Sequence, residues 1–125
     1  MKKIINIYKK VGETPLEAIN RFRSANPEHQ NVKMTYAGRL DPLAEGVLIL
    51  LSGEAIHEKE KYLDLDKEYE AEIVFGFETD TYDILGLPKK KKMTKDFDRD
   101  ELAGFLNNFL GRNKERFPRY SSYKI

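Results

Sequence analysis

One carboxylate stands out by its setting. Asp41 falls within Tyr36-Ala37-Gly38-Arg39-Leu40-Asp41-Pro42-Leu43-Ala44-Glu45-Gly46-Val47-Leu48-Ile49-Leu50-Leu51-Ser52-Gly53. Proline fixes its own φ and keeps the preceding residue out of the helical region, so Asp41-Pro42 marks a turn. Gly38 and Gly46 flank that turn and allow backbone shapes that a Cβ would forbid. The acid is thus presented on a sharply turned loop backed by a buried strand, Val47 to Leu51. Functional residues are often carried on loops that a rigid scaffold positions. Such a carboxylate can serve catalysis, or it can simply cap nearby backbone N–H groups, as Asp-Pro turns commonly do.

Other polar groups offer weaker chemistry. Lys9 and Lys10 form a basic turn that is either solvated surface or a phosphate contact ahead of a helix N-terminus. Glu78, Asp80 and Asp83 bring three carboxylates together, but their spacing fits no calcium loop, and Asx-type turn bonds are the simpler expectation. Lys89 to Lys92 predict a solvated loop able to contact RNA nonspecifically. The tail, Arg112 to Ile125, interleaves Lys114, Arg116, Arg119 and Lys124 with Phe117, Tyr120 and Tyr123. That mixture suits RNA contact or a last strand of a sheet. His29 and His57 are far apart and there is no cysteine, so neither a metal site nor a disulfide is expected.

The elements that must position these groups can be read from period and punctuation. Ile4 to Tyr8 alternates as a first strand, with Ile5 and Ile7 on one face. Thr14-Pro15-Leu16-Glu17 predicts a helix start with a capping box, and the helix should end near Asn26-Pro27. Leu16, Ile19 and Phe22 or Arg23 follow at helical spacing. Pro27 to Asn31 reads as loop and Lys33 to Tyr36 as a short strand. Glu54 to Leu63 predicts a charged, mostly solvent-facing helix. The clearest alternation runs from Asp66 to Gly76 and predicts a strand with Tyr69, Ala71, Ile73 and Phe75 inward. On that pattern Tyr69 is a core aromatic with its hydroxyl at the rim. A capping box at Asp98 and Glu101 opens a last helix, with Leu102, Phe105, Leu106, Phe109 and Leu110 as a core stripe and Gly111 as its end.

At 125 residues the chain predicts one domain, or part of one, long enough to bury a core. Hydrophobic residues at 40% and charged residues at 34% exclude a disordered chain. A net charge of +1 carries no global signature of nucleic-acid binding, so any such role must come from local patches. No apolar run is long enough for a membrane span, and Met1 to Ile5 lacks the features of a signal peptide. A cytoplasmic protein with no membrane partner is expected.

In order, spacing and identity, separate segments along the chain resemble the bacterial tRNA pseudouridine-55 synthase (TruB) family. Its motif Gly-His-x-Gly-x-Leu-Asp-Pro-x-Ala-x-Gly-Val-Leu is matched by Thr35 to Leu48. Gly53-Glu54-Ala55 matches Gly-Glu-Ala-Thr, and Asp66-Lys67-Glu68-Tyr69 matches Asp-Lys-x-Tyr. Gly76 with Thr79 to Asp83 and Gly86 matches Gly-x-x-Thr-Asp-Thr-x-Asp…Gly, and Phe117 to Ile125 is similar to Pro-Pro-x-Tyr-Ser-Ala-x-Lys. The resemblance implies an α+β fold: a mixed, mainly antiparallel sheet with flanking helices, the amino-terminal portion of the pseudouridine synthase catalytic fold. It covers residues 1–125 and leaves no carboxy-terminal RNA-binding domain.

The same resemblance implies isomerisation of a specific uridine to pseudouridine in tRNA, with the uridine presented by a stem-loop. Asp41 is then the catalytic nucleophile that attacks a flipped-out nucleotide. Tyr69, Tyr36, Lys9, Arg39 and Lys124 become substrate-binding residues, with no cofactor and no metal. Lys9 matches the lysine of the family's amino-terminal Lys-Pro-x-Gly.

Three departures accompany the match. Tyr36 replaces the family histidine that helps hold the flipped-out base, and Lys9-Lys10 replaces Lys-Pro. Family members are also expected to continue for roughly another domain's worth of chain. That part carries an arginine that pairs with the aspartate, and neither Arg39 nor Arg119 matches its position. Three roles follow from the sequence: a complete enzyme, an RNA-binding module without catalysis, or a half-domain that needs a second chain or self-association to complete its sheet.

Overall fold

A computed structural model describes residues 3–90 and 96–120. The chain divides into two compact units, Met1–Tyr69 and Glu70–Ile125.

The first unit is built on a continuous apolar run, which forms the strand that other strands flank. β1 (Lys3–Lys9), β2 (Met34–Ala37) and β3 (Gly46–Ser52) make a three-stranded sheet in the order β1-β3-β2, with both pairings antiparallel. Register runs from Lys3 opposite Ser52 to Lys9 opposite Gly46, and from Met34 opposite Ser52 to Ala37 opposite Ile49. Side chains alternate between sheet faces, so a strand apolar at successive positions needs cover on both. Leu48 and Leu50 are buried on one face with Ala18 and Ile19 of α1 (Pro15–Ala25), joined by Ile5, Ile7, Phe22, Met34 and Tyr36. Leu51 packs on the other with Ala37 and Ala55, joined by Ile49, Ile56 and Tyr62. Val47 departs from the expected buried strand: it and its cross-strand partner Tyr8 are both exposed, because this second cluster covers only the far end of that face.

α1 begins as its sequence predicts. The Thr14 hydroxyl accepts the Glu17 N–H at 3.2 Å, and the Glu17 carboxylate accepts the Thr14 N–H at 2.7 Å. The helix stops at Asn26, whose side-chain Nδ2 donates to the Phe22 carbonyl at 2.8 Å, just before Pro27. Leu16 is exposed; Ala18 and Ile19 supply the buried positions. The segment expected as one solvent-facing helix is instead a 3-10 helix, Gly53–Glu58, followed by α2 (Lys59–Leu63). It places Ala55 fully inside, because its apolar residues close the sheet face that α1 leaves open.

The strand expected at Asp66 to Gly76 does not form. Residues 66–74 have no regular structure, and Tyr69, Ile73 and Val74 are exposed, as is Phe75. Alternation specifies two faces, but a strand also needs a ladder partner. Among the described residues this segment has no such partner. Lys67 instead closes α2 by donating to the carbonyls of Leu63 and Leu65, both at 2.7 Å.

The second unit holds a hairpin and a helix. β4 (Phe77–Thr79) pairs antiparallel with β5 (Pro88–Lys90), so Lys89 and Lys90 lie in a strand rather than in the expected loop. Lys91 and Lys92 lie outside the described residues. The connecting segment is stapled by its own acids, as the Asx-turn expectation holds. Asp83 Oδ1 accepts from the Thr81 hydroxyl at 2.7 Å and the Leu85 N–H at 2.8 Å, and Asp80 Oδ1 accepts the Leu87 N–H at 2.8 Å. Gly86 is required there, because a Cβ would stand 2.3 Å from the Thr81 hydroxyl oxygen.

α3 (Arg99–Leu106) carries the predicted capping box, with Asp98 Oδ1 accepting the Glu101 N–H at 2.8 Å. Its apolar stripe is not core: Leu102 is half-buried, and Phe105, Leu106, Phe109 and Leu110 are all exposed, because the described residues of the unit supply no buried layer beyond the edge-on contact of the Phe105 and Phe109 rings, 5.2 Å between centroids. All the structured elements together make the α+β architecture, and every strand pairing among the described residues is antiparallel.

Candidate active site

Lys9 ends β1 on the face that carries Ile5 and Ile7, so alternation sends its side chain inward. It is 0% exposed. A buried ammonium is tolerable only when its donors are satisfied. The Lys9 Nζ donates to the carbonyls of Ala44 at 2.7 Å, Lys10 at 3.1 Å and Pro42 at 3.3 Å. Two of those carbonyls belong to the Asp41 loop. The Lys9 side chain is therefore not solvated surface, and its three N–H groups are spent on backbone rather than left for a phosphate.

A second tether comes from the turn after β1. Gly12 adopts φ +77, where a Cβ is disfavoured, and its N–H donates to the Pro42 carbonyl at 2.7 Å. Within the loop the Ala44 N–H donates to the Asp41 carbonyl at 3.0 Å, closing one tight turn. Gly46, at φ +133, then delivers the chain into β3. From the exposed side, the Tyr8 hydroxyl donates to Glu45 Oε2. That carboxylate raises the Tyr8 phenol above its ordinary pKa, chiefly through the hydrogen bond.

The backbone that follows Asp41 is held at Pro42 and Ala44 by bonds from Lys9 and Gly12, while Asp41 itself is exposed. A carboxylate fixed at its base and open at its tip has the geometry of a nucleophile or a proton acceptor for a bound molecule. Arg39 is exposed two residues earlier in the same loop. Tyr36 lies in β2, half-buried against the α1-side core, with the Lys59 ammonium 5.4 Å from its ring centroid. Tyr69 ends the first unit at 69% exposure, not inward as its alternation predicted, and no bond among the described residues joins it to Asp41. Lys124 lies outside the described residues. No group of three or more His, Cys, Asp or Glu side chains among the described residues is arranged to hold a metal.

The family model described as TruB family pseudouridylate synthase (N terminal domain) matches residues 26–125. The chain belongs to the TruB family. Among its relatives, the tRNA pseudouridine synthase B of Psychrobacter arcticus is 32% identical over 123 residues, covering 97% of this chain and 32% of the relative. Proteins of the same name from Clostridium perfringens and Mycoplasma mobile are 32% and 35% identical, covering 99% and 100% of this chain. The chain spans 32% to 42% of the length of these curated relatives. The TruB match begins at the end of α1, so β1, Lys9 and Gly12 precede it.

The tethers of this TruB loop were only partly visible beforehand. The sequence leaves Lys9 as either solvated surface or a phosphate contact, whereas β1 runs on to Lys9 and continues the Ile5-Ile7 face inward. Nothing local announced that Gly12 would meet Pro42 or that Tyr8 would meet Glu45, 37 residues away. A further pair, Glu13 and Arg21, also went unseen because it spans a turn and the start of a helix.

Proposed function

We propose that this chain carries the nucleophile of an enzyme that isomerises a uridine in tRNA to pseudouridine, acting in the cytoplasm. The observation that carries this is the Asp41 loop, with an exposed carboxylate on a backbone pinned by Lys9 and Gly12. Asp41 attacks the flipped-out nucleotide, at the sugar or at the base ring. The N1–C1′ bond breaks and the C5–C1′ bond forms; the bond made by Asp41 to the nucleotide breaks as product forms, which returns the carboxylate, while C5 releases its proton to solvent and N1 takes one up. Atoms and electrons therefore balance without a cofactor. Tyr69 offers an exposed ring for stacking on the base, Tyr36 and Arg39 line the approach, and Lys124 contacts RNA. Lys9 acts by holding the loop rather than by touching substrate.

The test is tritium release from tRNA labelled at uridine C5. Release by the 125-residue chain and none by Asp41→Ala is expected. Equal release by both would overturn the role of Asp41.

A second reading has its own observation. Among the described residues none of the second unit is buried, and the α3 stripe lies open. Contiguous exposed apolar surface marks an interaction face. On this reading the chain binds RNA but needs a second chain or a second copy before it can turn over. Tight tRNA binding with no tritium release from the wild-type chain would favour it over the first.

A further inference from the structure

The turn that holds the Asp41 loop is itself clamped from outside. Arg21 donates from Nε to Glu13 Oε1 at 2.7 Å and from Nη2 to Glu13 Oε2 at 3.0 Å. The same Nη2 donates to the Tyr8 carbonyl at 2.6 Å. Glu13 Oε2 also accepts the Lys10 N–H at 2.9 Å, and the Glu13 N–H donates to the Lys10 carbonyl at 3.2 Å. One side-chain pair thus grips the backbone immediately before Lys9 and immediately after it.

From that grip a continuous series of bonds leads to Asp41. Lys9 and Gly12 leave the clamped turn and bind the carbonyls of Pro42 and Ala44, and Ala44 closes on Asp41. We propose that Glu13 and Arg21 are positioning residues for Asp41, setting the height and angle at which the nucleophile loop is presented. This rests on the reading of that loop given above.

The pair has no comparable task in holding α1. The helix is already seated by Ala18, Ile19 and Phe22 and started by its Thr14–Glu17 box. Glu13 is 12% exposed and Arg21 40% exposed, so the clamp is partly buried, joining α1 to the turn outside the apolar cluster. A bidentate guanidinium–carboxylate pair fixes an angle as well as a distance, which is what aiming a loop requires. Arg21 keeps Glu13 ionised by pulling its pKa down to about 2.

The test follows single amides by NMR hydrogen exchange in the 125-residue chain, comparing wild type, Arg21→Met, Arg21→Lys and Glu13→Gln. Methionine keeps much of the stem and removes the fork. In Arg21→Met the Gly12 and Ala44 amides should exchange about tenfold faster, while the protected amides of the β1–β3 ladder stay within about twofold. Arg21→Lys should recover part of the difference, and Glu13→Gln should fall between. Where wild type turns over tRNA, Arg21→Met should lower kcat by about tenfold with KM unchanged. Unchanged exchange at Gly12 and Ala44 would overturn the proposal. So would a rise shared equally by the ladder, which would make the pair an ordinary stabiliser. Local loosening in a chain whose wild type shows no turnover would uphold the clamp and count against the enzyme reading instead.

Discussion

Burying an ammonium without partners costs several kcal/mol, and Lys9 escapes that cost only through the three carbonyls around it. The residue and the loop therefore depend on one another. Lys9→Met keeps the apolar stem but leaves the Ala44 carbonyl and one bond to Pro42 without a donor. It should lower the unfolding free energy by about 2 kcal/mol, read from urea midpoints at constant slope. Asp41 makes the opposite case. Its side chain is exposed, so Asp41→Asn should shift stability by less than about 0.5 kcal/mol while abolishing tritium release. A larger loss of stability would show that the carboxylate serves the turn as a cap, the commoner task of an aspartate before proline.

At the scale of elements, the β1–α1 connection does two things: it starts a helix and it anchors a loop. Thr14→Ala removes the capping hydroxyl and should cost about 1 kcal/mol. Glu13 adds a pH dependence whose sign is fixed by its depressed pKa, about 2 against an ordinary 4.5, with the Arg21 hydrogen bond the main cause. Its contribution is complete above pH 4.5 and is lost as pH falls towards 2. Acid titration of the fold should therefore be shallower for Glu13→Gln than for wild type across that window.

Elements governed by local rules were legible in the sequence: both capping boxes, the Asx-stapled connection of β4 and β5, and the buried run of β3. What depended on a partner was not. The alternation from Asp66 to Gly76 is as regular as that of β1, yet β1 has β3 beside it and the later segment has no ladder partner among the described residues. Asp41 could be singled out from glycine and proline alone. The bonds that hold its loop join residues up to 37 apart, and no local period encodes them.

Over the whole molecule, burial is unevenly shared. Every buried hydrophobic residue among the described ones precedes residue 70, while Phe105, Phe109, Leu110 and Phe117 of the second unit are exposed. Cooperative stability follows the apolar surface withdrawn from water, so unfolding should report mainly the first unit. The urea slope should then be about 1 kcal/mol/M, at the low end for small domains, because slope scales with the surface newly exposed. Protected amides should cluster in β1 and β3, with those of residues 70–90 and 96–120 exchanging far faster. Protection extending through α3, together with a steeper slope and a mass that rises with concentration, would require that a second copy covers the apolar stripe. Substituting Leu110→Glu would then separate the two cases. In a single chain it leaves the urea midpoint almost unchanged, because Leu110 is already in water; in an assembly it returns the mass to that of one chain and strips α3 of its protection.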